Sequence, residues 1–150
     1  MTPTLPKVSI IIPAYNVDRY IRRAVESLQH QTFEDFELLA VDDGSSDRTG
    51  QILDSIAARD IRVSVFHQKN AGAPAARNFA LDHARGEYVM FFDADDWAEP
   101  AMLSKMYAFA SANRLELVVA GFYIDTHYGS VDRHKPGRSE ERRVGKECRS

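Results

Sequence analysis

Glu87-Tyr88-Val89-Met90-Phe91-Phe92-Asp93-Ala94-Asp95-Asp96-Trp97 runs an unbroken apolar segment straight into three carboxylates. Tyr88 to Phe92, introduced by Gly86, has the length and composition of a strand buried on both faces, as in a parallel sheet. Open α/β sheets bind ligands outside the carboxyl ends of their strands, which places Asp93 and Asp95 in a crevice. Carboxylates clustered there repel one another unless a cation neutralises them. Oxygen-only ligands suit a hard divalent ion, Mg2+ or Mn2+, rather than zinc. The plainer alternative is a solvated acidic turn that starts the helix signalled by Glu99-Pro100.

The same grammar recurs upstream. Lys7 to Ile12 is β-branched and apolar and is stopped by Pro13, a first strand followed by the loop Pro13-Ala14-Tyr15-Asn16. Asp18 is placed to cap a helix running to about Gln31, with Tyr20, Ile21, Ala24, Val25 and Leu28 on one side. Phe36 to Val41 is a second buried strand ending in Asp42-Asp43-Gly44-Ser45-Ser46-Asp47. Gly44 permits a tight turn there, and Ser46 or Asp47 caps the helix carrying Ile52, Leu53, Ile56 and Ala57. Arg62 to His67 reads as a third strand, Lys69 to Pro74 as a loop and Ala75 to Ala84 as a helix. Arg77 and Asn78 fall at that helix's start, where backbone amides favour an anion. Downstream, Pro100 to Asn113 is a helix with Met102, Leu103, Met106, Phe109 and Ala110 as its apolar stripe, and Leu115 to Ile124 a fifth strand. Strands alternating with helices argue an α/β fold with a mostly parallel sheet and right-handed crossovers. Strands one, two and four all deliver polar residues at their carboxyl ends, and three such loops at one sheet edge point to a site. Taken alone, Tyr15 and Asn16 are ordinary turn residues.

Composition narrows the class. The chain has 150 residues, 44% hydrophobic and 27% charged, with a net charge of −3, which suits one soluble domain. That balance excludes collagenous, disordered and strongly basic nucleic-acid-binding proteins. No apolar run is long enough to span a bilayer, and no signal peptide is evident. The single cysteine, Cys148, fits a reducing cytoplasm. Phosphate-binding glycine loops, paired cysteines, His-Glu-x-x-His and the Gly-x-Ser-x-Gly elbow are all absent from the sequence, and the five histidines lack ligand spacing. From Arg138 onward, five basic and three acidic side chains carry almost no apolar content, so residues 131–150 are expected to be a disordered tail resembling vector-derived read-through.

What remains is an acidic metal-type site beside a nucleotide pocket. A metal held by one or two carboxylates with open positions bridges a diphosphate and offsets charge on a departing nucleoside diphosphate. Asp43 is a candidate acceptor from a base N–H or a ribose hydroxyl, and Arg77 a neighbour of the phosphates. A phospho-receiver domain also gathers acidic residues at strand ends, but it needs an acidic pair after the first strand, where Pro13-Ala14-Tyr15-Asn16 stands instead.

Five segments then resemble the family 2 inverting glycosyltransferases. They are Val8-Ser-Ile-Ile-Ile-Pro-Ala-Tyr-Asn16, Gln31 to Leu38, Val41-Asp-Asp-Gly-Ser-Ser-Asp47, Asn70-Ala-Gly-Ala-Pro-Ala-Ala-Arg-Asn78 and Gly86 to Asp96. The resemblance covers about residues 7 to 125 in unbroken order and implies the Rossmann-like GT-A fold, with helices on both faces of the sheet. It implies that Pro13, Ala14, Tyr15, Asn16, Asp42 and Asp43 line the nucleotide pocket, with Gly72, Arg77, Asp93 and Ala94 near the rest of the donor. Asp93-Ala94-Asp95 matches the family's Asp-x-Asp, and the resemblance implies a metal site at Asp93 and Asp95, with Asp95 the direct ligand and Asp93 nearer the ribose or the metal. The implied reaction is inverting transfer from a nucleotide sugar, a UDP-sugar first, to a glycan or lipid-linked acceptor in the cytoplasm or at the inner face of the membrane. Peripheral membrane association is then in keeping, and nucleic acid is not a partner. An inverting transfer needs a base on the acceptor hydroxyl. Asp125 and Asp132 are the only acidic residues between position 118 and Gly137, and neither stands in a matching motif. The expectation is therefore a nucleotide-sugar-binding domain over residues 1–130, truncated at its C-terminal side and lacking the general base. The alternative expectation is a non-catalytic module that holds donor and metal.

Overall fold

The computed structural model describes residues 5–120, 122–125 and 131–134. The chain divides into two compact units, Met1–Leu103 and Ser104–Ser150. In the first, β1 (Val8–Ala14), β2 (Phe36–Asp42), β3 (Val63–His67) and β4 (Tyr88–Phe91) form one parallel sheet in the order β3-β2-β1-β4. Helices α1 (Ile21–Gln29), α2 (Thr49–Ala57) and α3 (Ala73–Leu81) connect them. The parallel α/β expectation holds.

Because β1 and β2 are central, both of their faces are covered. Ile11, Leu39 and Val41 point one way, into a core with Ala76 and Ala80 of α3, and Phe66 and Ala84 close its rim. The two alanines let α3 lie close to the sheet. Alternation sends Ile10, Ile12, Leu38 and Ala40 to the opposite face, and these too are buried. Phe66, Phe79 and His83 stack beside α3 at centroid distances of 4.6 to 5.3 Å.

Several local expectations change. The first strand runs through Pro13 to Ala14 rather than stopping before it. Ile11 presents its carbonyl to the β4 side, accepting from Phe92 N, so Pro13 faces that side as well. The pairing with β4 ends at Ile11↔Phe91, so the missing proline N–H removes no ladder bond. Asp18 does not cap α1, which begins three residues later; its carboxylate faces Arg48 at 3.5 Å. Asp47, not Ser46, accepts from the Thr49 amide at the start of α2 (2.9 Å). The strand Tyr88 to Phe92 is not buried on both faces: β4 is a sheet edge, and Val89 and Phe91 are 40% and 50% exposed.

In the second unit, Phe122–Asp125 (β5) pairs antiparallel with Val131–His134 (β6). The expected fifth strand is therefore confined to its last residues, since positions 115–120 have no regular structure. β6 also lies within the segment expected to be tail, whose remainder, with Cys148, lies outside the described residues. Helix α4 (Met102–Asn113) buries Leu103 and Ala110, whereas Phe109 is exposed. Leu103 and Ala110, seven positions apart, share one helical line, and Phe109 falls about 120° from it at 100° per residue.

A polar bracket closes the amino end of the sheet. The buried Glu37 carboxylate accepts from Ser9 Oγ (2.7 Å), Arg85 N (2.8 Å), Arg85 Nε (3.0 Å) and Arg85 Nη2 (2.6 Å). Burial raises its pKa, but these bonds to Ser9 and Arg85 outweigh burial and hold it below the ordinary glutamate value. Gly86 donates to Ser9 Oγ at 2.8 Å, and a β-carbon there would sit 2.5 Å from Ser9 N. Gly86→Ala is therefore expected to cost about 1–3 kcal/mol as an overpacking change. It should lower the urea midpoint at unchanged m-value, and an unchanged midpoint would contradict this packing.

Candidate functional site: the carboxyl edge of the sheet

Strand order β3-β2-β1-β4 reverses the direction of winding between β1 and β4, and ligands of open α/β sheets bind at such a switch point. Pro13 to Asn16 leave β1 on one side of it, and Asp93 to Asp96 follow β4 on the other. Direct contacts then tie successive loops together.

The first link joins the loops after β1 and β2. Ala14 O accepts from Asp43 N (2.8 Å), Asn16 N donates to Ser45 Oγ (3.0 Å), and Asn16 Oδ1 accepts from Ser46 N (2.8 Å). Asn16 has φ 51°, in the left-handed region that asparagine tolerates better than most residues. Val17 N and Asp18 N continue the seam to Thr49 Oγ1 (2.9 Å) and Asp47 Oδ2 (3.1 Å). Ala14 is buried, and Tyr15 beside it is 51% exposed.

Asp43 makes the second link. Its carboxylate, 3% exposed, accepts from Gln68 Nε2 (2.7 Å), Ala71 N (2.8 Å) and Gly72 N (2.8 Å). Burial raises its pKa, but the bonds from Gln68, Ala71 and Gly72 prevail and hold it below the ordinary aspartate value. Gly44 allows this approach, because it has φ 73° and a β-carbon there would lie 2.7 Å from Asn70 N. Gly72, at φ 91°, immediately precedes α3. Asp42 alternates away from this junction: it accepts from Ser45 N at 3.1 Å and meets His67 Nδ1 at 3.0 Å.

The third link crosses from α3 to the end of β4, where Arg77 Nη2 donates to Asp93 Oδ1 at 3.1 Å. Asp96 N closes a turn onto Asp93 O (3.1 Å), with Ala94 turned inward and Asp93, Asp95 and Asp96 outward. Burial first, then the charges of Asp95 and Asp93, raise the pKa of Asp96. That repulsion marks a concentration of negative charge that a cation would relieve. Among the described residues no three His, Cys, Asp or Glu side chains converge into a metal cage. Asp93 and Asp95, both exposed on this turn, are the carboxylates there that could hold a hard divalent ion with water or phosphate oxygens in its other positions.

Of the residues expected at the site, Ala14, Asn16, Asp43, Gly72, Arg77 and Asp93 are joined by these contacts, whereas Asp42 turns to Ser45 and His67, and Tyr15 and Asp95 are exposed. Sequence reasoning missed Gln68, which supplies the shortest bond to Asp43. It stands at the carboxyl end of β3, and the rule that flagged the ends of the other three strands would have found it.

Comparison with known proteins settles the ancestry of this arrangement. The model of the family "Glycosyl transferase family 2" matches residues 9–147. This chain belongs to glycosyl transferase family 2. It is 44% identical over 119 residues to the uncharacterized glycosyltransferase EpsJ of Bacillus subtilis (strain 168), covering 79% of this chain and 35% of that protein. Among solved structures, S. aureus TarS 1-349 in complex with UDP superposes with a TM-score of 0.67 at 37% identity, covering 72% of this chain and 33% of that one. A mannosyltransferase of Pyrobaculum calidifontis, in complex with GDP-Man and Mn2+, superposes with a TM-score of 0.66 at 26% identity, covering 73% and 33%. The architecture is therefore GT-A. The chain spans about a third of the length of these relatives.

In this family member the Asp43 carboxylate is the fastening of the third loop. Asp43→Ala leaves the Ala71 and Gly72 amides without their acceptor, an expected loss of about 1–3 kcal/mol. Amide exchange at Ala71 and Gly72 should accelerate well beyond that at α3; protection equal to the parent would contradict the fastening.

Proposed function

We propose that this chain forms the donor-binding part of an inverting glycosyltransferase that uses a nucleotide sugar, in the first place a UDP-sugar, with Mg2+ or Mn2+. The observation that carries the reading is the linked series Asn16–Ser46, Asp43–Gly72 and Arg77–Asp93 around the β1/β4 switch point. The S. aureus relative in complex with UDP supports uracil as the base, and the P. calidifontis relative in complex with Mn2+ supports the metal.

In this reading Pro13, Ala14, Tyr15 and Asn16 form one wall of the nucleotide pocket, and the exposed Tyr15 ring offers a face for a base. Asp43 keeps acceptor capacity beyond its three bonds, because each carboxylate oxygen has two lone pairs. A base N–H or ribose hydroxyl completes it. Gly72 allows close approach of backbone, and Asp42 acts through the turn it holds. Arg77 exchanges Asp93 for donor phosphate. A divalent ion held by Asp93 and Asp95 would offset the charge that develops on the leaving nucleoside diphosphate.

The acceptor is a glycan or lipid-linked saccharide, met in the cytoplasm or at the inner face of the membrane. Deprotonation of its hydroxyl requires a base, and no residue here is assigned that role. With no base assigned among the described residues, a second reading stands beside the first: a module that holds donor and metal without transfer.

Calorimetric titration of UDP with and without manganese tests the donor site. Binding is expected with metal and to fall at least tenfold on chelation or in Asp95→Ala, about 1.4 kcal/mol or more. Affinity indifferent to both would remove Asp95 from the metal site. Release of free sugar from UDP-sugars would favour the enzyme over the module.

A further inference from the structure

His67 ends β3 immediately before Gln68, and both of its ring nitrogens face carboxylates. Nδ1 lies 3.0 Å from Asp42 Oδ2, and Nε2 lies 2.9 Å from Asp54 Oδ1 of α2. A neutral imidazole has a single N–H and presents a lone pair to the second carboxylate, whereas the imidazolium donates to both. The packing makes room for this clamp. Gly50 is the second residue of α2. A β-carbon at Gly50 would lie 2.7 Å from Asp42 Oδ2 and 3.3 Å from His67 Cε1.

The clamp is joined to the donor site through two neighbours. Asp42 is buried and directly precedes Asp43, and its carbonyl accepts from Gln68 N at 3.0 Å. The Gln68 side chain in turn donates to Asp43 at 2.7 Å. Asp42 from β2 and Asp54 from α2 are the charged groups facing the ring. The hydrogen bond to Asp42 first, and that to Asp54 second, hold the His67 pKa above the ordinary histidine value against burial.

We propose that His67 is a positioning residue for the donor: as an imidazolium it ties Asp42 to α2 and keeps the Asp43–Gln68 junction in its donor-receiving form. This inference rests on the nucleotide reading above. Because the folded-state pKa is raised, the clamp is fully present below the ordinary histidine value and is lost as pH rises through the raised one. Coupling between two binding events is reciprocal, so bound donor must raise the His67 pKa by the logarithm of the factor with which protonation tightens the donor.

The test follows the His67 ring by NMR across pH in the full chain, free and with saturating UDP and magnesium, together with UDP affinity over the same range. The midpoint is expected to rise by about half to one pH unit with UDP, and affinity to weaken about three- to tenfold as pH rises through it, since one unit corresponds to tenfold. Asp54→Asn, checked for folding by a thermal melt, should lower the midpoint and carry the affinity profile with it. A merely structural histidine would not move that profile. An identical midpoint with and without bound UDP, or an affinity flat with pH, overturns the proposal and leaves the donor site standing. UDP that binds at no pH to a chain that melts as a folded protein overturns the donor reading, and this proposal with it.

Discussion

A buried carboxylate must find donors, and at Asp43 it finds them in a different loop. Its oxygens accept from Gln68, Ala71 and Gly72, so the end of β2 and the connection from β3 to α3 become one object. Breaking one partner from a buried charge costs more than the bond itself is worth, because the charge is left uncompensated. This one carboxylate therefore fixes where α3 begins. Gly72 donates to it and α3 starts at the next residue. The position of α3 in turn decides where Arg77 can meet Asp93.

The two ends of the sheet solve different problems. At the amino end, Ser9, Glu37, Arg85 and Gly86 form a bracket in which the carboxylate's bonds come from within the chain. At the carboxyl end, Asp93, Asp95 and Asp96 share one turn with a single described ion pair, Arg77–Asp93, and the pKa of Asp96 is raised by burial first and then by the charges of Asp95 and Asp93. Clustered like charge is held in place only when the surrounding structure imposes it, and such perturbed groups gather at functional sites. Here the imposing structure includes Ser27 and Gln31 of the α1 region. They bind Ala98 N (3.0 Å), Glu99 O (2.8 Å) and Leu103 N (2.9 Å), anchoring the segment that follows the acidic turn.

Periodicity and strand-end chemistry alone determined the parallel α/β class, the four strands of the sheet and the residues at its carboxyl edge, and the five family motifs determined membership of family 2. These are local or alternating properties, which one chain displays directly: β-branched runs, glycine at turns, polar residues at strand ends. Tertiary structure decided what those residues bond. Asp42 and Asp43 are adjacent and chemically identical, yet one is turned to His67 and the other to Gly72, because alternation sends neighbours to opposite sides of a strand. Tertiary structure also decided that Tyr88 to Phe91 is a sheet edge with half-exposed alternate residues, which composition cannot distinguish from a strand covered on both faces. Whether Pro13 breaks a strand depends on whether a neighbour waits for its N–H, and only the β1–β4 register shows that none does. Burial and partnership are properties of pairs of residues distant in sequence, and no single residue carries them.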